Sequence, residues 1–137
     1  MRLYNEIKNK LFYNVDCLRA RCQRFKRGYS YGDVWDMDCW FKRMAKPMLI
    51  HLRDHGCGVP FDLYLEGAEN ERAAWEAVLT EMIECLELMD EDAVEKYLGI
   101  MDDDYSTESY QRVTFMMNEK KNRFFELFCK HFFSLWD

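Results

Sequence analysis

The sequence predicts an all-α fold, a bundle of about four main helices in a single domain over residues 1–137, and three observations carry that prediction. Apolar residues recur at three- and four-residue spacing through four long segments. Gly and Pro fall mostly between those segments, where helices stop. No five-residue run alternates in the strand manner, and there is no repeat or low-complexity tract. A chain of 137 residues is long enough for one core. With 49% hydrophobic and 16% aromatic residues, it has the large side chains to fill that core.

The first helix is predicted over about residues 3–26, with Leu3, Ile7, Leu11, Val15 and Leu18 on one stripe and Gly28 as the stop after the basic stretch RARCQRFKR. The second spans about 33–54, with a stripe of Val34, Met37, Phe41, Met44, Met48 and Leu52. Pro47 lies inside it, and the missing N–H and ring clash of proline predict a kink there or an end to the first half near Lys46, which would leave the helix in two pieces. Between these two helices the stretch RGYSYGDVWDMD reads as a handover, with Gly28 closing one helix and Ser30 or Asp33 capping the next. Asp33 and Asp36 then fall where acids suit the helix dipole. The third helix runs from Asn70 to about Glu91. Trp75, Val78, Leu79, Met82, Ile83 and Leu86 face inward, while Glu71, Glu76, Glu81, Glu84 and Glu87 fill the outer faces; a short helix follows to Leu98. The fourth occupies about 108–135, with Ser106, Thr107 and Ser109 as candidate caps.

Charge divides the chain unevenly. Lys and Arg against Asp and Glu number 12 against 5 over residues 1–53, 2 against 17 over 54–109, and 5 against 3 over 110–137. An acidic middle between basic flanks can satisfy itself or can face a positively charged partner. It does not hold nucleic acid directly, because affinity for phosphates comes from Lys and Arg that release counterions. It suits a groove that normally holds nucleic acid. Glu76, Glu84 and Glu87 are the exposed acids expected on the third helix, and Asp102, Asp103 and Asp104 extend the negative surface. The N-terminus has neither the apolar run nor the cleavage site of a signal peptide, and no stretch approaches the roughly 18 apolar residues of a membrane span. Six cysteines without paired spacing then read as reduced thiols in a cytoplasmic protein.

His51, His55 and Cys57 are the sharpest chemical candidate. The two imidazoles stand one turn apart on one face, and the thiol follows on a glycine-flanked turn, a permissible set for zinc with one position open. The same residues read as a helix stop, with His55 at the terminal carbonyls and Gly56 as the cap. That second reading is preferred, so no metal and no cofactor are expected. No phosphate loop, nucleophile elbow or catalytic set is present in the sequence. The C-terminal FFELFCKHFFSLWD is apolar on more than one face. It is either buried or left for a second copy or a host protein, with Trp136 as the natural anchor.

The order of RGYSYGDVWDMD, KPMLIHL, HGCGVP, AWEAVLTEMIECLE and the closing FFELFCKHFFSLWD resembles a family of small proteins encoded by tailed bacteriophages and prophages. The likeness covers most of the chain from Arg27 to Asp137 and brings no catalytic residues with it. It implies a phage gene product made in the bacterial host cytoplasm. Together with the acidic middle, it leads to the expectation of a non-enzymatic accessory protein that binds a host or defence protein with a basic surface, in the manner of an anti-CRISPR-like inhibitor of a nuclease. The alternative is a small metal-binding regulator or metal-dependent enzyme using His51, His55 and Cys57.

Overall fold

The computed structural model describes the backbone of residues 2–65, 70–100 and 106–136 and the side chains of 15–63, 70–100 and 106–136. Among these residues seven α-helices run in the order α1 (Arg2–Arg27), α2 (Tyr31–Trp35), α3 (Met37–His55), α4 (Phe61–Leu65), α5 (Glu71–Glu87), α6 (Glu91–Leu98) and α7 (Thr107–Lys130), followed by a 3₁₀ turn (Phe132–Ser134). No strand occurs among the described residues, so the all-α class holds. The chain divides into two compact units, Met1–Met44 and Ala45–Asp137.

In the N-terminal unit, α1 ends where Gly28 adopts φ 81°, a left-handed conformation that only glycine takes without a Cβ penalty. Its N–H donates to the Arg24 carbonyl at 2.8 Å, and Arg24, Lys26 and Arg27 in the last turn oppose the negative helix end. Ser30 then caps α2. Its N–H and hydroxyl donate to the Asp33 carboxylate at 2.7 and 2.8 Å, and its hydroxyl accepts from the Asp33 N–H, which makes a capping box with Asp in the place of the usual Glu.

The segment predicted over about 33–54, with its kink or break near Pro47, is two helices whose break lies at Asp36. Asp36 leaves helical geometry at φ −116°, ψ 57°, and its carbonyl accepts the Trp40 N–H at 2.9 Å to begin α3. Gly32, Asp33 and Asp36 are all weak helix formers, which explains why the break falls there. Helical backbone continues on both sides of Pro47.

The expected stripe of this region is also placed differently. Of that stripe Leu52 is buried as expected and Phe41 is half-buried, but Val34, Met37, Met44 and Met48 are exposed, and the other buried residue of α3 is Leu49. Ala45 and Leu49 lead to Leu52 along a second apolar line that meets the first there, so spacing alone does not select which line faces inward. In α1 the stripe likewise emerges exposed at Val15 and Leu18, while the side chains of Leu3, Ile7 and Leu11 lie outside the described residues.

The C-terminal unit is built on α5, which packs most extensively on α7; α6 also packs on α7, and α4 on α5. Asn70 caps α5 by accepting the Ala73 N–H at 3.0 Å. The helix buries Trp75, Leu79, Met82, Ile83, Cys85 and Leu86, close to the predicted inward face. It stops at Glu87 instead of continuing to about Glu91, because Asp90 caps α6 by accepting the Ala93 N–H at 3.3 Å. At the other end of α6, Gly99 takes φ 67° and the Ile100 N–H reaches back to the Glu95 carbonyl at 2.9 Å, a glycine-terminated stop. Ser106 caps α7. That helix ends at Lys130, short of the predicted residue 135, with His131 as the cap and the 3₁₀ turn beyond it. Trp75, Leu79, Met82, Val94, Val113 and Phe124 form the centre of the unit, each 3% exposed or less. Full burial of one such Leu, Met, Val or Phe side chain contributes about 1.5–3 kcal/mol.

Candidate functional site

The outer surface of α5 and the start of α6 carry the acids singled out in the sequence, and the structure sorts them by what they touch. Glu76 accepts Arg72 Nε at 2.7 Å, one turn away. Glu87 pairs with Lys46 at 2.7 Å. Glu81, intermediate in exposure, takes Arg123 in a bidentate grip, with Nε and Nη2 donating at 2.6 and 3.1 Å. That guanidinium holds the Glu81 carboxyl below its ordinary range, and Glu81 with Glu126 raises Arg123 further above an already high value. The Glu87 and Glu81 pairs tie α5 to α3 and α7 within the C-terminal unit and the Glu76 pair lies within α5, so Glu76, Glu81 and Glu87 serve the fold in addition to any surface role.

Glu84, Glu87, Asp90, Glu91 and Asp92 are all exposed, five acids between residues 84 and 92 where one helix ends and the next begins. Asp90 is also the cap of α6. Glu91 and Asp92 sit in its first turn, where the positive end of the helix dipole favours them. The backbone under this negative edge is held by the burial of Leu86 on one side and Val94 on the other. Asp102, Asp103 and Asp104 lie outside the described residues.

At the end of α3 the rings of His51 and His55 stack with centroids 4.7 Å apart and 17° between planes, both exposed. The Cys57 thiol reaches the His55 carbonyl at 3.9 Å. Gly56 donates its N–H to the Leu52 carbonyl at 2.9 Å, the helix stop that the sequence suggested. Among the described residues no group of three or more His, Cys, Asp or Glu side chains is placed to hold a metal ion. Trp136 is exposed, with its ring standing over Gly58, where a Cβ would lie 3.7 Å from it. The aromatic C-terminus divides accordingly. Phe124 and Leu127 enter the core, whereas Phe125, Phe132, Phe133 and Trp136 remain exposed.

Three arrangements were missed by sequence reasoning. Arg72 reaches across 16 and 19 residues to donate to the carbonyls of Gly56 and Arg53, closing the end of α3. The signal was present, since Arg72 and Lys96 are the two cations of the acidic middle and a lone cation there invites an internal role. Asp33 was read as a cap, but it also receives Arg24 Nε and Nη2 at 2.9 and 2.6 Å and Arg43 Nη2 at 3.2 Å. The Arg24 contact and the Ser30 N–H hold its carboxyl well below the usual carboxylate range. His131, with no periodic signal to mark it, is 1% exposed, with its ring edge-on to Trp75 at 5.3 Å and its Nδ1 3.3 Å from Asp62.

Comparison of the chain with protein-family models, with curated proteins and with solved structures found no match. No helix among the described residues is long and apolar enough to cross a membrane.

Proposed function

We propose that this protein acts by binding rather than by catalysis, and that its acidic α5–α6 edge docks on a host or defence protein with a basic surface. The carrying observation is the run of five exposed acids between residues 84 and 92 on two helices whose inner faces are packed. A surface of one sign on a rigid support raises the association rate with a complementary cationic groove and disfavours wrong partners. A nuclease groove that normally holds nucleic acid is the kind of site such an edge fits, since it presents Lys and Arg spaced for phosphates. The resemblance to small tailed-phage proteins supports a gene product that meets its partner in the cytoplasm of an infected bacterium. Trp136, exposed at the end of the chain, is the aromatic anchor that would add affinity to a charge-steered encounter.

The test is the combined charge reversal of Glu84, Glu91 and Asp92 to Lys. Glu76, Glu81 and Glu87 are left alone because they pair with Arg72, Arg123 and Lys46, and Asp90 is left because it caps α6. The triple variant should melt like the parent yet capture markedly less of a basic partner from host lysate. The loss should be larger at about 0.01 M salt, where the Debye length is about 30 Å, than at about 0.1 M, where it is about 10 Å. Unchanged capture at low ionic strength would remove the acidic edge from the reading.

A further inference from the structure

α1 turns its apolar face away from the rest of its own unit. The side chains that tie it to α2 are polar and lie on one side: Gln23 Oε1 accepts the Tyr31 N–H at 3.0 Å, and Arg24 clasps Asp33. Cys17, Ala20 and Gln23, which share that side, are partly covered. On the opposite side of the helix, Val15, Leu18, Cys22 and Phe25 follow one another at spacings of three, four and three. All four are exposed, Phe25 at 93%. A globular helix ordinarily does the reverse, burying its apolar stripe and wetting its polar one.

The spacing is that of a coiled-coil seam, with Val15 and Cys22 at a and Leu18 and Phe25 at d. In that register the flanking e and g positions are Arg19, Arg21 and Lys26, all exposed and all positive. Those flanks decide what covers the seam. A second copy of α1, whether parallel or antiparallel, would set cation against cation along both edges. A helix with Glu or Asp at e and g would pair with them at every step.

We infer that the exposed seam of α1 is a docking surface for an acidic amphipathic helix of another protein. The mode is helix-in-groove recognition, with a and d side chains of the partner packing between Val15, Leu18, Cys22 and Phe25 and its carboxylates meeting Arg19, Arg21 and Lys26. A single-stranded nucleic acid would use the same cations, but it has no need of an aliphatic seam at heptad spacing.

The probe is a fluorescein-labelled peptide of three heptads with Leu at a and d and Glu at e and g. Mutual repulsion of its glutamates keeps it from pairing with itself. Its binding to the full-length protein is read by anisotropy against the same peptide with Lys at e and g. The acidic peptide should bind at least tenfold more tightly, and the paired substitution Leu18→Asp with Phe25→Asp should weaken it at least tenfold. That double variant changes two exposed side chains, and its circular dichroism should match the parent. Sedimentation should show no seam-dependent dimer. The inference is overturned by equal binding of the two peptides, by no binding of either, by binding indifferent to the double substitution, or by a dimer that the double substitution dissolves. It is also overturned if an oligothymidylate binds and loses affinity on Arg19→Glu and Arg21→Glu but not on Leu18→Asp.

Discussion

Replacement of Trp75 by Ala tests the architecture of the C-terminal unit at its centre. Trp75 is 1% exposed in the middle of α5, with its indole edge-on to the His131 ring at 5.3 Å. A buried aromatic of this size removes about 150–250 Å² from water, worth roughly 4–6 kcal/mol at about 25 cal/mol per Å². Measured truncations of buried Phe and Trp to Ala cost about 3–5 kcal/mol. The vacated space would also leave His131 facing a void beside Asp62. Against a typical total of about 5–15 kcal/mol, the lower figure already removes a large share of the stability. At about 4–8 °C per kcal/mol for a unit of this size, the melting temperature should fall by more than about 12 °C. Thermal melting followed by circular dichroism at 222 nm reads this directly. Trp35→Ala, at a residue 90% exposed, is the control and should cost no more than about 0.5 kcal/mol. The packing described for α5 is refuted if Trp75→Ala melts within about 2 °C of the parent, or if Trp35→Ala costs as much.

Three further outcomes are expected. The Asp33 carboxyl, followed by carbon-13 NMR, should titrate below the ordinary aspartate value of about 3.9, because Arg24 and the Ser30 N–H favour its charged form. With a depressed folded value, the stability it contributes is full above that ordinary value and is lost as pH falls toward the folded one; Asp33→Asn should abolish this acid dependence, and a midpoint at or above about 3.9 would contradict the clasp. Burial pushes the Cys85 thiol up and shields it, so a thiol reagent under native conditions should label exposed Cys22, Cys39, Cys57 and Cys129 well before Cys85; early labelling of Cys85 would place α5 the wrong way round. Arg72→Ala should destabilise the C-terminal unit by about 1–3 kcal/mol by leaving the carbonyls at the end of α3 without their donor, an effect that Arg72→Gln should only partly restore and that urea unfolding would measure.

What the sequence made legible follows from how local each cause is. Gly28, Ser30, Ser106 and the inward face from Trp75 to Leu86 were readable because a cap or a stripe is written within a few neighbouring residues. The break of the second segment was expected near Lys46, since proline is the stronger breaker, and it falls at Asp36, where three weak helix formers act together. The stripe of α3 was misplaced because two apolar lines run side by side and only tertiary packing chooses between them. For the acidic edge, the sign of the charge was evident. The Arg72–Glu76 pair stands at helical i,i+4 spacing, whereas the hold of Lys46 on Glu87 and of Arg123 on Glu81 depends on partners about 40 residues away and could not be read from spacing.

The reach of Arg72 also bears on the order in which the chain folds. Most helices carry their own stop within a few residues of the end, so they can close as soon as they are made. α3 has such a local stop in the Gly56 N–H to Leu52 bond, but the carbonyls of Arg53 and Gly56 are reached by a guanidinium that arrives 16 residues after Gly56, from the first turn of α5. Until α5 forms and swings that side chain into place, the carbonyls of Arg53 and Gly56 have only water. Capping these two carbonyls is therefore tied to a loop closure rather than to local chain geometry. The two helices should gain hydrogen-exchange protection together, in one cooperative step, and not in the order of their synthesis.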